Sequence, residues 1–406
     1  MHRRPLTILI AAGMLLMAAC HSGPKQGQNA GAQQTRYSGG REQPVRSAAD
    51  SVQAAAFPVS DTLPSSFYKH FSGTIAGKAV EVDLQSVNGL ISGDYYYVQH
   101  KTPIPLMQRA DLAAGDSLQF EERDGASEDE QAYPLWKVVF AGGRLQGTWY
   151  GKDRKKHYPI RLKEQYPRGM MRLGGRYFEA EYPAFPKQKD SPYYAIRLQY
   201  PYALGEDSAA RWLNRHIKMA LGFDTAVSFQ QGQQQWIDRI VGQYREELQG
   251  LDSSQLRFGG NTWQDDKEVY VLANAQDYVQ LEVDSYEYLG GAHGMPVAIN
   301  YAFDMRHHKQ MRLADITTKD SVGLQHLVEA RFRKDYLQPG DSLKSLLFED
   351  HLAANENFFF DEEGITFTYV PYEVAPFAAG FIYVTLPYTQ LAGTLTAEFK
   401  QRMSIQ

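Results

Sequence analysis

Between residues 66 and 166 apolar and polar residues alternate in short runs, and no stretch repeats at the helical period. The runs "GKAVEVDLQSV", "GLISGDYYYV", "DSLQFEER", "LWKVVFAGG" and "RLQGTWYG" are parted by Gly, Asn or Asp. A period of two puts successive side chains on opposite faces, so each run predicts a half-buried strand. "SVNGLISG" marks a tight hairpin at Asn88-Gly89, because Asn and Gly tolerate the positive φ of such turns. The acidic stretch "EERDGASEDE" (121–130) reads as a solvated hairpin loop. Residues 64–168 are therefore expected to form an all-β module, a small antiparallel barrel or sandwich.

From residue 170 the pattern changes. "YYAIRLQYPYA" (193–203) is a strand, and Asp207 or Ser208 then caps a helix carrying Trp212, Leu213, Ile217, Ala220 and Leu221 on one face. Trp236, Ile237, Ile240, Val241, Tyr244 and Leu248 give a second helical stripe. A third helix starts near Ser321, with Leu324, Leu327, Val328, Phe332 and Tyr336 inward. Strand, helices, several strands, helix and strands, in that order, predict an α+β module with helices packed on an antiparallel sheet.

The N-terminus sets the compartment. His2, Arg3 and Arg4 precede the apolar "LTILIAAGMLLMAA" (6–19), and Cys20 follows. This reads as a secretory signal, too short for a spanning helix. "MAAC" resembles a bacterial lipobox, so residues 1–19 are expected to be removed and Cys20 lipidated, palmitate included. Cys20 is the chain's single cysteine, which excludes an internal disulfide. Residues 20–63 are rich in Gly, Gln, Ser and Ala and are read as a flexible tether; "DSV" (50–52) and "DTL" (61–63) there resemble O-glycosylation sites. The longest later apolar stretch, "APFAAGFIYVTLPY" (375–388), falls short of the ~20 residues a membrane helix needs. Losing Arg3 and Arg4 takes the 42 Lys and Arg down to 40, against 47 Asp and Glu, about −7. An acidic chain without a basic stripe argues against nucleic acid as a partner.

One loop stands out. "SYEYLGGAHGMPVAINYAFD" (285–304) sets His293 among Gly290, Gly291 and Gly294, between two strand patterns expected to pair. Clustered glycines mean positive φ, or a backbone that something approaches closely. Upstream, Val279, Leu281 and Val283 are apolar at odd positions, Tyr286 and Tyr288 at even ones. That change of phase predicts a bulge near Asp284–Ser285.

"YEYLGGAHGMPVAINYAFDMRHHKQMRLADI" followed by "FFFDEEGITFTYVPYEVAPFAAGFIYVTLPYTQL" resembles the domain of unknown function DUF3298, over residues 276–400. The preceding residues 169–275 resemble the DUF 4163 segment. The chain departs from the family where "DMRHHKQMRLADI" (304–316) puts Arg306, His307 and His308 in place of a Thr-Gly turn. The resemblance implies an α+β extracytoplasmic module. The family includes the extracellular half of a lysozyme-sensing anti-sigma factor and a non-catalytic segment of a peptidoglycan deacetylase. The β module is similar to those of Bacteroidota envelope lipoproteins.

No catalytic residue is assigned. An envelope hydrolase would use His293 and Glu373 as an acid/base pair, with Tyr372 and Asp284 assisting. G-x-S-x-G and H-E-x-x-H are missing, and "SFYK" (66–69) lacks the companion motifs of an S-x-x-K enzyme. No metal and no cofactor is expected. The preferred reading is a non-catalytic binding or sensing module for a cell-wall fragment, glycan or lysozyme-like protein. A purely structural role is the third. Candidate binding residues are Gly290, Gly291, His293, Gly294, Tyr372 and Glu373. Tyr95, Tyr96 and Tyr97 are a candidate aromatic surface, because alternation should expose at least one of them. The loop is expected to pack on "PYEVAPFAAG", with Glu373 as the partner of His293. The "CHSGPK" start lacks an acidic run, which points to the periplasmic face of the outer membrane.

Overall fold

The computed structural model describes residues 63–100, 102–109, 117–123, 133–251 and 261–405. The expected signal sequence, Cys20, nearly all of the expected tether and most of the acidic stretch lie outside the described residues. Among the described residues no helix is long and apolar enough to cross a membrane.

The alternating region forms eight strands in sequence order. They are β1 (Phe67–Ile75), β2 (Lys78–Val87), β3 (Leu90–Tyr97), β4 (Ile104–Gln108), β5 (Ser117–Glu122), β6 (Leu135–Ala141), β7 (Arg144–Tyr150) and β8 (His157–Glu164). Each pairs antiparallel with the next, and β1 pairs back on β8 from Phe71–Glu164 to Ile75–Ile160. The module is therefore a closed barrel, which leaves no open edge. At Gly73 the two closing strands come so close that a Cβ would run into the Arg161 carbonyl. Asn88 and Gly89 both adopt positive φ, as the hairpin expectation requires. The barrel is filled by side chains, among them Phe71, Val82, Leu84, Tyr95, Phe120, Trp136 and Leu145.

The sheet does not stop at the barrel. β9 (Leu173–Pro183) leaves β1 at Phe67–Gly174, and β10 (Tyr193–Ala203), β11 (Trp263–Ala275), β12 (Tyr278–Tyr288), β13 (Met295–Asp304) and β14 (Lys309–Gln310) extend one 14-stranded sheet. The expectation of an antiparallel sheet fails at one joint, where β10 and β11 run parallel. The cause is the connection between them. The helices α1 (Ser208–Leu221) and α2 (Phe229–Leu248) carry the chain back, as a parallel pair demands. Asp207 caps α1, its carboxylate accepting from the Ala210 N–H at 2.8 Å. Leu213, Ile217, Trp236, Ile237 and Tyr244 pack on Leu198, Val269, Val279 and Leu281 of the sheet.

Two barrel residues help tie the parts together. β10 pairs with β11 only as far as Gln199–Glu268. Gln85 takes the backbone of β11 just beyond: Val271 N–H donates to its Oε1 at 2.9 Å, and its Nε2 donates to the Val271 carbonyl. Gln199 in turn accepts from the Asn88 N–H of the barrel hairpin.

After β14 come α3 (Leu313–Ile316) and α4 (Ser321–Tyr336), capped by Asp320. A second sheet of β15 (Phe358–Phe360), β16 (Gly364–Tyr369) and β17 (Ile382–Pro387) follows, then α5 (Tyr388–Leu391) and α6 (Ala397–Met403). Leu324, Val328 and Phe332 of α4 share a core with Ile365, Phe367, Val384 and Leu386.

Candidate functional site

The predicted pairing around the glycine loop is present. β12 and β13 run antiparallel from Tyr278–Asp304 to Glu287–Met295. The expected bulge near Asp284–Ser285 is absent, since both residues keep register with β11 and β13; the register shift lies in β11, between Val271 and Ala273. The phase change has another cause. Val279, Leu281 and Val283 face α1 and α2, whereas Gln280, Glu282, Asp284 and Tyr286 share the opposite face. A strand covered on both sides need not alternate apolar with polar.

Gly290 and Gly291 take φ of 93° and 94°. Gly294 answers the other glycine demand, because the Tyr286 ring lies where a Cβ would stand. The loop thereby holds His293 at the surface, with Nδ1 2.9 Å from the Gly294 carbonyl. His293 stacks on Phe377, centroids 4.1 Å apart at 25°, and Tyr372 lies 6.4 Å from His293 and 5.6 Å from Phe377. Tyr372 is 48% exposed and holds φ at 68°, an uncommon conformation for a bulky residue. The expected contact with "PYEVAPFAAG" therefore exists, and Phe377 carries it, a residue that sequence reasoning did not single out.

Glu373 is engaged elsewhere. Its oxygens accept from Val370 N–H at 2.9 Å and Asn355 Nδ2 at 3.1 Å. Among the described residues no hydrogen bond or ion pair joins it to His293. Tyr95 points into the barrel at 1% exposed, its hydroxyl donating to Glu122 at 2.7 Å. It belongs to the core rather than to an aromatic surface, and Tyr96 and Tyr97 are only half-buried. Ser66 and Lys69 do not form a dyad, since Ser66 donates to the Arg176 carbonyl and Lys69 pairs with Glu164 at 2.7 Å. Asp304, His307 and Glu398 place one ligand atom each within 4.8 Å of one another. Arg402 already lies among them, 2.6 Å from Asp304 and 3.4 Å from Glu398. Burial alone would raise Asp304, but the hydrogen bonds from Arg402 and His307 hold it down to about 2. The group is a salt-bridge network.

Sequence reasoning also missed the polar seam between the two sheets. Gln280 exchanges two hydrogen bonds with the Phe360 backbone, at 2.7 and 2.9 Å. Asn300 donates to Asn357 and to Thr368, and Asn357 donates to the Ala298 carbonyl. Glu282 stands opposite Asn300 in the ladder, and Asp284 follows on the same face. Burial and the neighbouring Asp284 push Glu282 well up from the usual carboxylate range; burial and Glu268 do the same to Asp284.

Residues 187–296 match the family model "Deacetylase PdaC", and residues 314–389 match "Protein of unknown function (DUF3298)". The DUF 4163 likeness expected over 169–275 is not shown, and the glycine loop falls in the PdaC span. A crystal structure of a DUF3298 family member from Bacteroides fragilis is similar at a TM-score of 0.52 and 21% identity, over 58% of this chain and 99% of that one. That likeness concerns the fold. A DUF3298 family protein from Pseudomonas aeruginosa matches at a TM-score of 0.41 and 18% identity, over 56% of this chain and 96% of its own. No curated protein matches. The chain thus carries a DUF3298 domain, preceded by a segment that matches PdaC.

Proposed function

We propose that this protein is a non-catalytic binding module of the bacterial cell envelope, anchored by a lipid on Cys20, and that the His293–Phe377–Tyr372 platform takes the glycan of a cell-wall fragment. The stacked, outward-facing rings carry this reading. A sugar ring offers an apolar C–H face to an aromatic and its hydroxyls to nearby polar groups. Glu373, next in the chain to Tyr372, and its partner Asn355 would take the hydroxyls. The strained backbone of Tyr372 supports the same reading, because such strain collects at ligand-binding positions. Resemblance to a model named for a deacetylase is in keeping with an acetylated sugar as ligand. We place the protein on the periplasmic face of the outer membrane, with residues 20–63 as its tether.

The test is calorimetric titration of the purified full chain, in detergent, with soluble peptidoglycan fragments and separately with lysozyme. Saturable binding of the fragments that is lost on Phe377→Ala would support the proposal. Binding of lysozyme alone would replace the glycan with a protein partner. Binding to neither would end the reading.

A further inference from the structure

Glu282 is 1% exposed, and neither of its carboxylate oxygens is reached by a donor among the described residues. The same holds for Oδ1 of Asp284, which faces the same way two residues along β12. A third side chain shares the condition. Asn300 is 5% exposed, stands directly across the ladder from Glu282, and its Oδ1 is also unreached. Its orientation is fixed by its neighbours. Asn357 gives its Nδ2 to the Ala298 carbonyl, so Asn357 Oδ1 must accept, and Asn300 must present Nδ2 to it. The Asn300 oxygen is what remains for the carboxylate side.

Buried polar groups normally find partners, and an unpaired buried carboxylate costs several kcal/mol. Among the described residues no basic side chain offsets this pair. Arg197, on the same face, is committed to Asp266 and Glu179. Lys267 of β11 projects to the other face, over the Trp236 ring. A single proton would not complete the site, since a hydroxyl shared between two of these four oxygens would still leave the other two unpaired. A hard cation such as calcium both satisfies acidic and amide oxygens together and offsets the paired charges, taking six to eight oxygen ligands in flexible geometry.

We propose that Glu282, Asp284 and Asn300 form a calcium-binding site between the main sheet and the β15–β17 sheet. The half-buried Asp284 gives the ion its way in. Calcium suits a mixed set of carboxylates and an amide carbonyl better than magnesium, which demands near-ideal octahedral geometry. The ion would neutralise two like charges and tie β12 to β13. The site uses none of the platform residues, so it stands or falls independently of glycan binding.

The test uses the full chain in detergent after EDTA treatment and removal of the chelator. Titration with calcium chloride should give one saturable site per chain and a rise in melting temperature. Magnesium chloride should bind at least tenfold more weakly. The double variant E282Q/D284N should lose both the heat and the thermal shift. In EDTA it should melt at or above the wild-type temperature, because a like-charge pair has been removed, and that melt also shows that it folds. Calcium that neither binds nor stabilises at about 1 mM, a typical level for extracellular modules, would overturn the proposal. So would calcium binding that survives the double substitution.

Discussion

The His293 imidazole lies 4.1 Å from the Phe377 ring and nearly parallel to it, although one comes from the β12–β13 loop and the other from the turn before β17. Stacking at the surface buries little area, so its contribution to folding is small. For a ligand the same arrangement is ready-made, because the rings need no reordering on binding. Phe377→Ala and His293→Ala should each weaken binding of peptidoglycan fragments at least tenfold, about 1.4 kcal/mol. Each should shift stability by no more than about 1 kcal/mol. Calorimetry beside a thermal melt separates the two effects. Loss of stability without loss of binding would make the stack structural.

Tyr372 offers a sharper separation. Its φ of 68° is the left-handed region that glycine adopts freely. Its ring is 48% exposed, so packing does not repay the conformation. Tyr372→Gly should stabilise the fold by about 1 kcal/mol through relief of the strain, while weakening fragment binding. Tyr372→Ala should weaken binding equally without the stability gain. Chemical denaturation midpoints of the two variants check this. A Tyr372→Gly protein less stable than Tyr372→Ala would show that the ring holds the turn.

Much of the fold was legible where a local rule decided the outcome. The period-two runs gave the barrel strands, Asp207 the helix start and Asn88-Gly89 the hairpin, because each depends on neighbours in the chain. The glycine loop was legible for the same reason. Four features were not. Closure of β1 on β8 and continuation of the sheet into β9 depend on pairing between distant segments. Tyr95 and Tyr97 carry the same residue type at the same spacing, yet Tyr95 sits at 1% exposed because Glu122 and Trp136 meet it inside the barrel. On β12, the polar face of Glu282 and Asp284 reads in sequence like a solvated one. Only the second sheet, whose Asn357 and Phe360 lie on that side, turns it into an interior. Phe377 was missed because nothing local distinguishes it from an ordinary turn residue.

Stability should fall as pH rises towards 8. His70 is 3% exposed, with Nδ1 2.9 Å from Asp83 and Nε2 2.9 Å from Glu81. Burial works against its charge, but hydrogen bonds and attraction from Asp83 and Glu81 prevail and raise it above the usual histidine value. Such a group stabilises fully below its unfolded pKa of about 6.5, and the gain is lost as pH climbs through the folded value. Asp94, opposite Asp83 in the β2–β3 ladder, is pushed up to about 7 by burial and then by Asp83. Its unfolded value is near 3.9, so it costs stability progressively between there and 7. The two effects have the same sign. The melting temperature should drop by several degrees from pH 6 to pH 8, and Asp94→Asn should shrink the drop. A flat profile would mean that neither group changes its protonation on folding.

Inside the barrel one carboxylate oxygen gathers three donors. Glu122 Oε1 accepts from Tyr95 OH at 2.7 Å, Trp136 Nε1 at 2.9 Å and Trp149 Nε1 at 2.6 Å. These residues come from β3, β5, β6 and β7, so the carboxylate ties together strands that are not all neighbours. Hydrogen bonds to a charged group are worth about 1.5–3 kcal/mol. Leucine at this position would leave a phenol and two indole N–H groups without an acceptor in an apolar interior. Glu122→Leu should therefore destabilise the barrel by about 3–5 kcal/mol, as removal of one partner from a buried charged network does. Glu122→Gln keeps an acceptor oxygen and should cost about 1–2 kcal/mol, the loss of charge assistance. Trp136 and Trp149 report on the event themselves, since both fluoresce and both touch the carboxylate. Urea unfolding followed by tryptophan emission should shift its midpoint in the order wild type, Glu122→Gln, Glu122→Leu. A leucine variant as stable as wild type would show that apolar filling alone holds the barrel.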